Sequence, residues 1–343
     1  MSRDSLTPTP PTSPWQRLYG TAHRWREAWY RRRADRLPRP VISLGNLHWG
    51  GTGKTPLTAS LAAWLRDQGQ RVCILSRGYG GGGEGVRVVS RGEGPLLGPS
   101  VAGDEPVLLA DALPGVAVVV EAQRYRAGLY ALERLEPTPD LFLLDDGFSH
   151  LALARDLDLL VLPAADPFAG GRLPPSGRLR EPLASARRAH GGLVTGAADN
   201  VAEVAAGLAP FGFTGPVFAA PTRLDAVRRD DGTPLDPQST VVAVAAIAGP
   251  GRFYEAAEGQ GFHLAERLTF GDHHPYPEVS LRKIRAAAQK HRADVVLTTE
   301  KDAVKLRGRL ELPLAYLPIR AEPEAAFWEW LGSRLAEWKA PPG

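Results

Sequence analysis

The chain has 343 residues, of which 43% are hydrophobic and 23% charged, the composition of an ordinary globular protein with room for two domains. It contains no run of 18 uninterrupted apolar residues and no apolar stretch at its start, which argues against a membrane-spanning helix and a secretory signal. The single cysteine, Cys73, cannot form an internal disulfide, so we expect a reducing, cytoplasmic setting.

The basic character of the chain is concentrated at its start. Residues 1–40 hold nine arginines and three acids, a balance of +6, whereas the whole chain has +3 and the remainder therefore −3. This basic segment is short and lies apart from any recognisable nucleic-acid-binding fold, so we predict no nucleic-acid partner. Nothing in the sequence indicates an obligate protein partner.

An N-terminal helix is predicted after a Pro/Thr/Ser-rich stretch, residues 1–12, that is typical of a disordered tail. Ser13 suits the N-cap, Pro14 the first helical position and Gln16 a capping box. The apolar residues that follow recur at helical spacing, and arginines recur every seven residues on another face. These residues are Trp15, Leu18, Tyr19, Ala22, Trp25 and Trp29, with Arg17, Arg24 and Arg31.

Two interpretations of this helix are open. Aromatic residues opposite arginines are typical of a helix that lies in the headgroup region of an anionic membrane, here over residues 13–33. Alternatively, the helix packs its apolar face on its own domain and leaves the arginines in solvent.

From residue 40 the pattern changes to short β-branched runs that alternate with helical stretches. Such alternation predicts an α/β fold with a mostly parallel sheet covered on both faces. Strands are predicted at 41–44, 71–76, 116–120, 141–144, 157–162, 241–247, 295–298 and 314–317, with an added strand at 86–89. Helices are predicted at 55–68, 104–113, 122–135, 251–260, 281–291 and 322–337. Residues 163–182, rich in Pro, Gly and Arg, are predicted to form a functional loop.

A phosphate-binding loop is predicted at residues 50–55, Gly-Gly-Thr-Gly-Lys-Thr, between a strand and a helix. Lys54 would place its charge on the β- and γ-phosphates of ATP, and Thr55 would offer a hydroxyl to Mg²⁺. The general pattern requires Gly where His48 stands, so a chance Gly-rich turn is the alternative. The residues expected around the nucleotide are His48, Trp49, Gly50, Gly51, Thr52, Gly53, Lys54 and Thr55.

A second acidic element supports the nucleotide site. The apolar strand at 141–144 runs into Asp145 and Asp146, as a Walker-B strand does, and such an acid accepts from the Mg²⁺ shell beside the P-loop. Adjacent side chains on an extended chain point to opposite sides, so we expect one of the two to reach the metal directly. Which one does so is open.

Several motifs together carry a resemblance to a known family. They are Gly45-Asn46-Leu47 with the P-loop, Ser76-Arg77-Gly78-Tyr79-Gly80, Gly103-Asp104-Glu105-Pro106, Asp145-Asp146-Gly147-Phe148, Ala248-Gly249 with Arg252-Phe253, Asp272-His273, and Thr299-Glu300-Lys301-Asp302-Ala303-Val304-Lys305. In this order the chain resembles the lipid A 4′-kinases (tetraacyldisaccharide 4′-kinases) over residues 40–305.

The resemblance implies a fold, a reaction and a location. The fold is a P-loop α/β/α domain joined by a β-ribbon to a smaller α/β/α domain, with an N-terminal helix that docks on the inner membrane. We accordingly expect a tail and interfacial helix at 1–36, a P-loop kinase domain at 37–213, a smaller domain at 214–320 and a closing helix at 321–343. The reaction transfers the γ-phosphate of ATP, with Mg²⁺, to the 4′-hydroxyl of an acylated glucosamine disaccharide 1-phosphate on the cytoplasmic face, giving lipid IVA.

The resemblance also implies a catalytic pair. Asp104 matches the family's catalytic aspartate and His273 the histidine that pairs with it, and with Lys54 they form the expected catalytic set. A carboxylate hydrogen-bonded to an imidazole suits the removal of a proton from a sugar hydroxyl. Without the resemblance, Asp104 could simply cap a helix, and His273 with His274 could be loop residues or a metal pair.

Further substrate contacts are expected at Asn46, Arg77, Arg172 and Arg178. Arg77 could contact phosphate or be a turn residue, and Arg172, Arg178 and Arg180 could face the 1-phosphate or be solvated. Residues 300–302 are expected to shape the second wall of the cleft or to form structural ion pairs.

The chain departs from the family pattern at two places, and a second function competes with the kinase. Ser149 replaces the usual Gln before His150, and residues 121–124 differ from the usual Asp-Arg arrangement. Both put secondary substrate contacts in doubt rather than phosphotransfer. The competing function is a membrane-associated regulatory or metallochaperone-type NTPase, since residues 50–55 resemble such switch proteins as well.

Overall fold

The structure, a computed structural model, describes residues 14–339, the last of them by its backbone only. The predicted tail and the Ser13 cap lie outside the described residues. Among the residues described, no helix is long and apolar enough to cross a membrane.

Helices and strands alternate along most of the chain. The strands are β1 (Val41–Gly45), β2 (Val72–Ser76), β3 (Arg87–Ser90), β4 (Ala117–Val120), β5 (Leu141–Leu144), β6 (Leu157–Pro163), β7 (Gly191–Gly196), β8 (Val217–Leu224), β9 (Arg228–Arg229), β10 (Val241–Ala245), β11 (Leu264–Thr269), β12 (Val295–Thr299), β13 (Leu314–Leu317) and β14 (Ile319–Ala321). The α-helices are α1 (Pro14–Tyr30), α2 (Lys54–Asp67), α3 (Pro99–Ala102), α4 (Asp104–Ala112), α5 (Arg124–Arg134), α6 (Val201–Leu208), α7 (Pro250–Gly259), α8 (Glu278–His291), α9 (Glu300–Leu306) and α10 (Ala325–Lys339).

The larger sheet has nine strands within the described residues, in the order β14-β8-β7-β6-β1-β5-β2-β4-β3. Its strands are parallel except at the two edges, where β3 and β14 run antiparallel to their neighbours. The central strands β1, β2 and β5 are buried along their whole length, as apolar runs in a sheet covered on both faces must be. The carboxyl ends of β1, β5 and β2 therefore lie side by side at one edge.

Helices cover both faces of this sheet. On one face α2, α4 and α10 pack on the strands through side chains such as Leu61, Leu109 and Leu331. On the other face α5 contributes Ala127 and Ala131, while α6 and short 3₁₀ segments cover the neighbouring strands. The predicted three-layer P-loop architecture is confirmed.

The smaller sheet has five strands within the described residues, in the order β11-β10-β12-β13-β9, and is parallel except for the edge strand β9. Helix α7 packs on one face through Phe253 and Tyr254. Helices α8 and α9 pack on the other face through Ile284 and Leu306. The second, smaller α/β/α unit is therefore confirmed as well.

The two sheets are joined by a two-stranded ribbon. Strand β8 pairs in parallel with β7 in the large sheet, and β14 returns from the small sheet to pair antiparallel with β8. The chain thus leaves the large sheet after Leu224 and re-enters it at Ile319. The domain division predicted at residues 213 and 214 stays a prediction, although the change of sheet falls after β8 rather than before it.

Helix α1 packs on the large unit through polar residues. Its buried side chains are Gln16, His23 and Glu27, whereas Trp15 and Trp25 are 69% and 75% exposed. The arrangement expected of an amphipathic helix on its own domain, with the apolar face inward, is therefore wrong. The polar residues turn inward because they find charged partners there, Glu181 for His23 and Arg187 with Arg188 for Glu27.

Candidate active site

The predicted P-loop occupies the turn between β1 and α2, at the carboxyl edge of the large sheet. Gly50 and Gly53 have φ values of 118° and 75°, a region that residues with a Cβ rarely adopt. These two glycines allow the backbone to turn so that Lys54 and Thr55 become the first residues of α2. A helix that begins at this turn directs its N–H groups and the positive end of its dipole at a bound phosphate.

Asn46 supports the loop from below. It is fully buried, and its amide donates to the carbonyl of His48 at 2.8 Å and to the Thr52 hydroxyl at 3.2 Å. Lys54 Nζ in turn donates to Asn46 Oδ1 at 3.3 Å. The geometry makes Asn46 an internal support of the phosphate-binding lysine, and its predicted contact with the substrate stays a prediction.

The Pro/Gly/Arg loop at 163–182 packs directly against the P-loop. The N–H of Trp49 donates to the carbonyl of Arg178 at 2.8 Å, and the N–H of Arg180 donates to the carbonyl of Leu47 at 2.7 Å. Between them His48 forms a bridge with Leu179 and is buried. Burial lowers the pKa of His48 to about 4, so its imidazole is neutral at physiological pH. Where the general pattern has Gly, this chain therefore has a residue with a neutral, buried side chain, and its backbone pairs with the neighbouring loop.

Asp145 and Asp146 follow β5 and point to different partners. Asp145 is buried and accepts hydrogen bonds from Thr58 at 3.1 Å and Ser76 at 3.2 Å. Asp146, whose φ is 50°, turns toward the P-loop, with Lys54 Nζ at 3.5 Å and Arg180 Nη1 at 2.8 Å. Burial alone would raise the pKa of Asp146, but the charges of Lys54 and Arg180 lower it. The expected divergence of the two carboxylates is therefore present.

The residues at this edge fit a magnesium ion. Thr55 and the two aspartates supply hydroxyl and carboxylate oxygens, the donors that Mg²⁺ prefers. Burial, with the nearby charges of Glu105 and Asp146, raises the pKa of Asp145 to about 6. Such an accumulation of acid groups is relieved by a divalent cation.

The second half of the site joins the two α/β units. Asp104, the first residue of α4, lies with both carboxylate oxygens 3.0 Å from His273 Nδ1, although the two residues are 169 positions apart. Asp104 is buried and also faces Lys305 Nζ at 3.5 Å. Burial would raise its pKa, but the hydrogen bond with His273 and the charges of Lys301 and Lys305 lower it to about 2.

The Asp104–His273 pair and the P-loop open on the same edge. The helix that carries Asp104 begins against the loop after β2, where Gly103 lies in close contact with the carbonyl of Tyr79. Strand β2 lies directly beside β5, which ends at the two aspartates. His274, by contrast, stacks on Phe270 and shares a 2.8 Å hydrogen bond with Ser280, so it is part of the small unit's packing rather than of a metal pair.

The family model described as tetraacyldisaccharide-1-P 4′-kinase (LpxK) matches residues 11–336. The chain belongs to this family. Its relatives include tetraacyldisaccharide 4′-kinases of Geobacter metallireducens, 44% identical over 80% of this chain and 80% of the relative, and of Geobacter sulfurreducens, 41% identical over 85% and 83%. A crystal structure of LpxK from Aquifex aeolicus, described as an "apo" form in complex with ATP, is similar to this chain with a TM-score of 0.76 and 34% identity. The match covers 94% of this chain and 97% of that one.

The predicted basic contacts of this family member divide into two groups. Arg178 forms an ion pair with Asp166, and Arg180 is committed to Asp146, while Arg172 is exposed on the loop. Arg77 is exposed at the end of β2, and its charge helps to lower the pKa values of Arg124 and His150. Arg180 therefore pairs with the acid that follows β5, and the contact with the acceptor phosphate, the alternative to solvation, stays a prediction.

The sequence did not predict a role in the site for three residues that the structure places there. Arg124 is buried and interacts with the charge of Asp145. Burial, together with the charges of four arginines, lowers the pKa of His150 to about 3. Lys301 contacts His273 within the small unit and Glu105 across the cleft. The position of Lys301 could have indicated such a role. A cation in the first turn of a helix opposes the helix dipole, so it is unusual there unless it pairs with a carboxylate or has a function.

Proposed function

We propose that this chain transfers the γ-phosphate of ATP to the 4′-hydroxyl of a tetraacyldisaccharide 1-phosphate, forming lipid IVA, with Asp104 as the group that accepts the hydroxyl proton. Family membership makes the chain an ATP-dependent kinase. The observation that carries the residue assignment is the Asp104–His273 pair, which opens on the same sheet edge as the P-loop. A regulatory or metallochaperone-type NTPase would have no need of that pair, and the family assignment does not favour it.

The proposed reaction is an in-line displacement at the γ-phosphorus. The 4′-oxygen forms a bond to phosphorus, the bond to the β-phosphate oxygen breaks, and ADP leaves with its electron pair. The hydroxyl proton moves to a carboxylate oxygen of Asp104, which is ionised because its pKa is about 2. Lys54 would bind the phosphate oxygens. When bound, Mg²⁺ would supply charge neutralisation there, held by Thr55, Asp145 and Asp146.

The acceptor's phosphate has a basic surface available to it. Arg26 of α1 and Arg77 are exposed, and their charges act on His150 together with those of buried Arg124 and of Arg155, which is paired with Asp158. A phosphorylated amphiphile that entered along α1 would meet these charges before it reached Asp104. Exposed Arg172 extends the same basic surface along the Pro/Gly loop.

The proposed location is the cytoplasmic face of the inner membrane, with peripheral attachment through residues 13–33. Four polar anchors fix the side of α1 that faces the protein: Gln16, Tyr19, His23 and Glu27. The opposite side presents Trp15, Leu18, Trp25 and Trp29 to the outside, interleaved with arginines. Apolar rings at the level of the acyl boundary, with arginines at anionic headgroups, are the arrangement of an interfacial helix.

A transfer assay tests the activity. ATP labelled in its γ-phosphate, Mg²⁺ and tetraacyldisaccharide 1-phosphate in detergent should yield a labelled lipid product. ATP hydrolysis without any labelled lipid at ample enzyme concentration would contradict the proposal and favour the NTPase. An Arg77→Ala, Arg124→Ala double variant should raise KM for the lipid more than KM for ATP.

A further inference from the structure

We infer that Lys301 is a positioning residue of the phosphotransfer site, because its ammonium holds His273 in the tautomer whose Nδ1–H donates to Asp104. The inference rests on the proposed role of Asp104 as the proton acceptor. It assigns a separate, measurable task to a lysine of α9 that touches neither Asp145 nor Asp146.

The geometry is a closed ring of four side chains, of which Asp104 and Glu105 belong to the large unit and His273 and Lys301 to the small unit. Asp104 lies 3.0 Å from His273 Nδ1, and His273 Nε2 lies 3.0 Å from Lys301 Nζ. Lys301 Nζ donates in turn to Glu105 Oε1 at 3.2 Å. Glu105 follows Asp104 on α4, which closes the ring.

Donor and acceptor rules fix where the protons are. An ammonium group can only donate, so His273 Nε2 must present its lone pair to Lys301. The ring proton of a neutral imidazole then resides on Nδ1 and donates to the Asp104 carboxylate. An imidazolium would place two donors 3.0 Å apart with no acceptor between them. Lys301 therefore selects one neutral tautomer, and it denies Nε2 to the substrate.

The charges around Lys301 keep it an ammonium group. Burial would lower its pKa, but Glu105, Asp104 and Asp272 raise it above the ordinary value. The hydrogen bond with Asp104 raises the pKa of His273 above its ordinary value, and burial and the charge of Lys301 oppose that rise. Removal of the lysine charge therefore raises the pKa of His273. The titratable and charged groups that face this imidazole are Asp104 and Glu105 from α4, Lys301 and Lys305 from α9, Asp272 from its own loop, and Tyr79 at 5.5 Å between ring centroids.

Lys301 and His273 are fixed relative to each other by one buried anchor. Asp302, next to Lys301, accepts a hydrogen bond from the N–H of Ala246 at 2.8 Å. The carbonyl of Ala246 accepts from the N–H of His273 at 3.2 Å. His273 has a φ of 58°, a left-handed conformation that needs such support in a residue with a Cβ. The same buried carboxylate thus connects the backbone at His273 with the residue next to Lys301, and both side chains face α4, which carries Asp104 and Glu105.

Nitrogen-15 NMR of full-length protein labelled at histidine tests the inference. The His273 signals are assigned by their loss in His273→Gln. In the wild type, at a pH above the His273 titration, we expect a protonated Nδ1 and an unprotonated Nε2. In Lys301→Met the imidazolium should persist to a pH about one unit higher, and the acid limb of kcat should shift upward by the same amount. An imidazolium weakens Asp104 as an acceptor, so kcat near pH 6.5 should fall about tenfold while KM for ATP changes little.

Two matched variants keep the result interpretable. Lys301→Arg retains the charge and should restore most of the acid limb, whereas Lys290→Met removes an exposed lysine of α8 and should change neither readout. If Lys301→Met does not fold, Lys301→Gln removes the same charge with a polar side chain and should shift the His273 signals in the same direction. A protonated Nε2 in the wild type, or an unchanged titration in both ring variants, overturns the inference. Full turnover of Asp104→Ala would instead overturn the assignment of Asp104 as the base. The NMR spectrum of the wild type would still report the tautomer of His273, independently of that result.

Discussion

Arg180 and Asp146 form an ion pair at 2.8 Å that joins the Pro/Gly/Arg loop to the end of the Walker-B strand. The same guanidinium lies 4.5 Å from the centre of the Trp49 ring in the P-loop. On its other side, the carbonyl of Arg180 accepts a hydrogen bond from the Tyr19 hydroxyl of α1 at 2.8 Å. One residue thus contacts the phosphate-binding loop, a candidate metal ligand and the helix proposed to meet the membrane.

Replacement of Arg180 by alanine should lower kcat by about 10² to 10³, the usual cost of one preorganised electrostatic contact. The pKa of Asp146 should rise, because Arg180 is one of the two cations that lower it. Steady-state kinetics with varied ATP and lipid measure the effect. Arg134→Ala, an exposed arginine of α5, is the matched control and should retain full activity. A loss of the same size in both variants would argue against a specific role for Arg180.

Asp104→Asn should collapse turnover by about 10² to 10⁴ and leave ATP binding largely intact, since a general base contributes that much to the rate and does not touch the P-loop. Asparagine keeps the shape of the side chain but cannot accept the hydroxyl proton. Calorimetric titration with ATP and single-turnover transfer separate the two effects. If nucleotide affinity falls as far as the rate does, Asp104 is not the base.

The nucleotide half of the site could be predicted from sequence because its signals are local. The first strand, the glycines of the loop, and Lys54 with Thr55 follow one another along the chain. The Walker-B acids come directly after a strand that is entirely apolar. The pairing of Asp104 with His273 came only through resemblance, because the two residues are 169 positions apart and neither has a distinctive local pattern. Lys301 was placed on the wall of the cleft, but its partner could not be named before the two units were seen together.

The N-terminal helix shows a different limit of sequence reasoning. Helical periodicity correctly predicted a helix with aromatic residues on one side. Which side faces the protein depended on Glu181 and Arg187, which bind His23 and Glu27 from about 160 positions away. The sequence likewise did not predict that β8 pairs with β7 in the large sheet, because strand pairing is set by tertiary contacts.

Glu300 should make stability depend on pH. Burial raises its pKa to about 7, from an ordinary value of 4.5, although the N–H of Ile319 donates to it at 2.9 Å. The folded chain therefore holds this proton more tightly than the unfolded chain, and the contribution of Glu300 to stability is greatest below pH 4.5 and falls as pH rises through 7. Glu300→Gln, which keeps an acceptor but cannot ionise, should be more stable than the wild type at pH 8 by on the order of 1–3 kcal/mol.

Urea unfolding at pH 5 and pH 8 measures this difference. At pH 5 the two proteins should unfold at similar urea concentrations, because Glu300 is mostly protonated there. Glu311→Gln, at an exposed glutamate, is the control and should show no pH-dependent gain. Equal stability of Glu300→Gln and the wild type at pH 8 would contradict the assigned pKa.

Trp25→Ser should weaken binding to anionic vesicles about tenfold, which corresponds to about 1.4 kcal/mol of lost apolar insertion. Trp25 is 75% exposed, and the polar contacts of α1 lie on the other side of the helix, so the fold and the activity on detergent-dispersed lipid should be retained. Sedimentation with phosphatidylglycerol vesicles measures the binding, which should weaken further as salt screens the arginines. Leu129→Ser, an equally drastic change at an exposed apolar residue of α5, should leave vesicle binding as it is. If both variants bind like the wild type, α1 is not the membrane contact, and its exposed aromatic side must serve another partner.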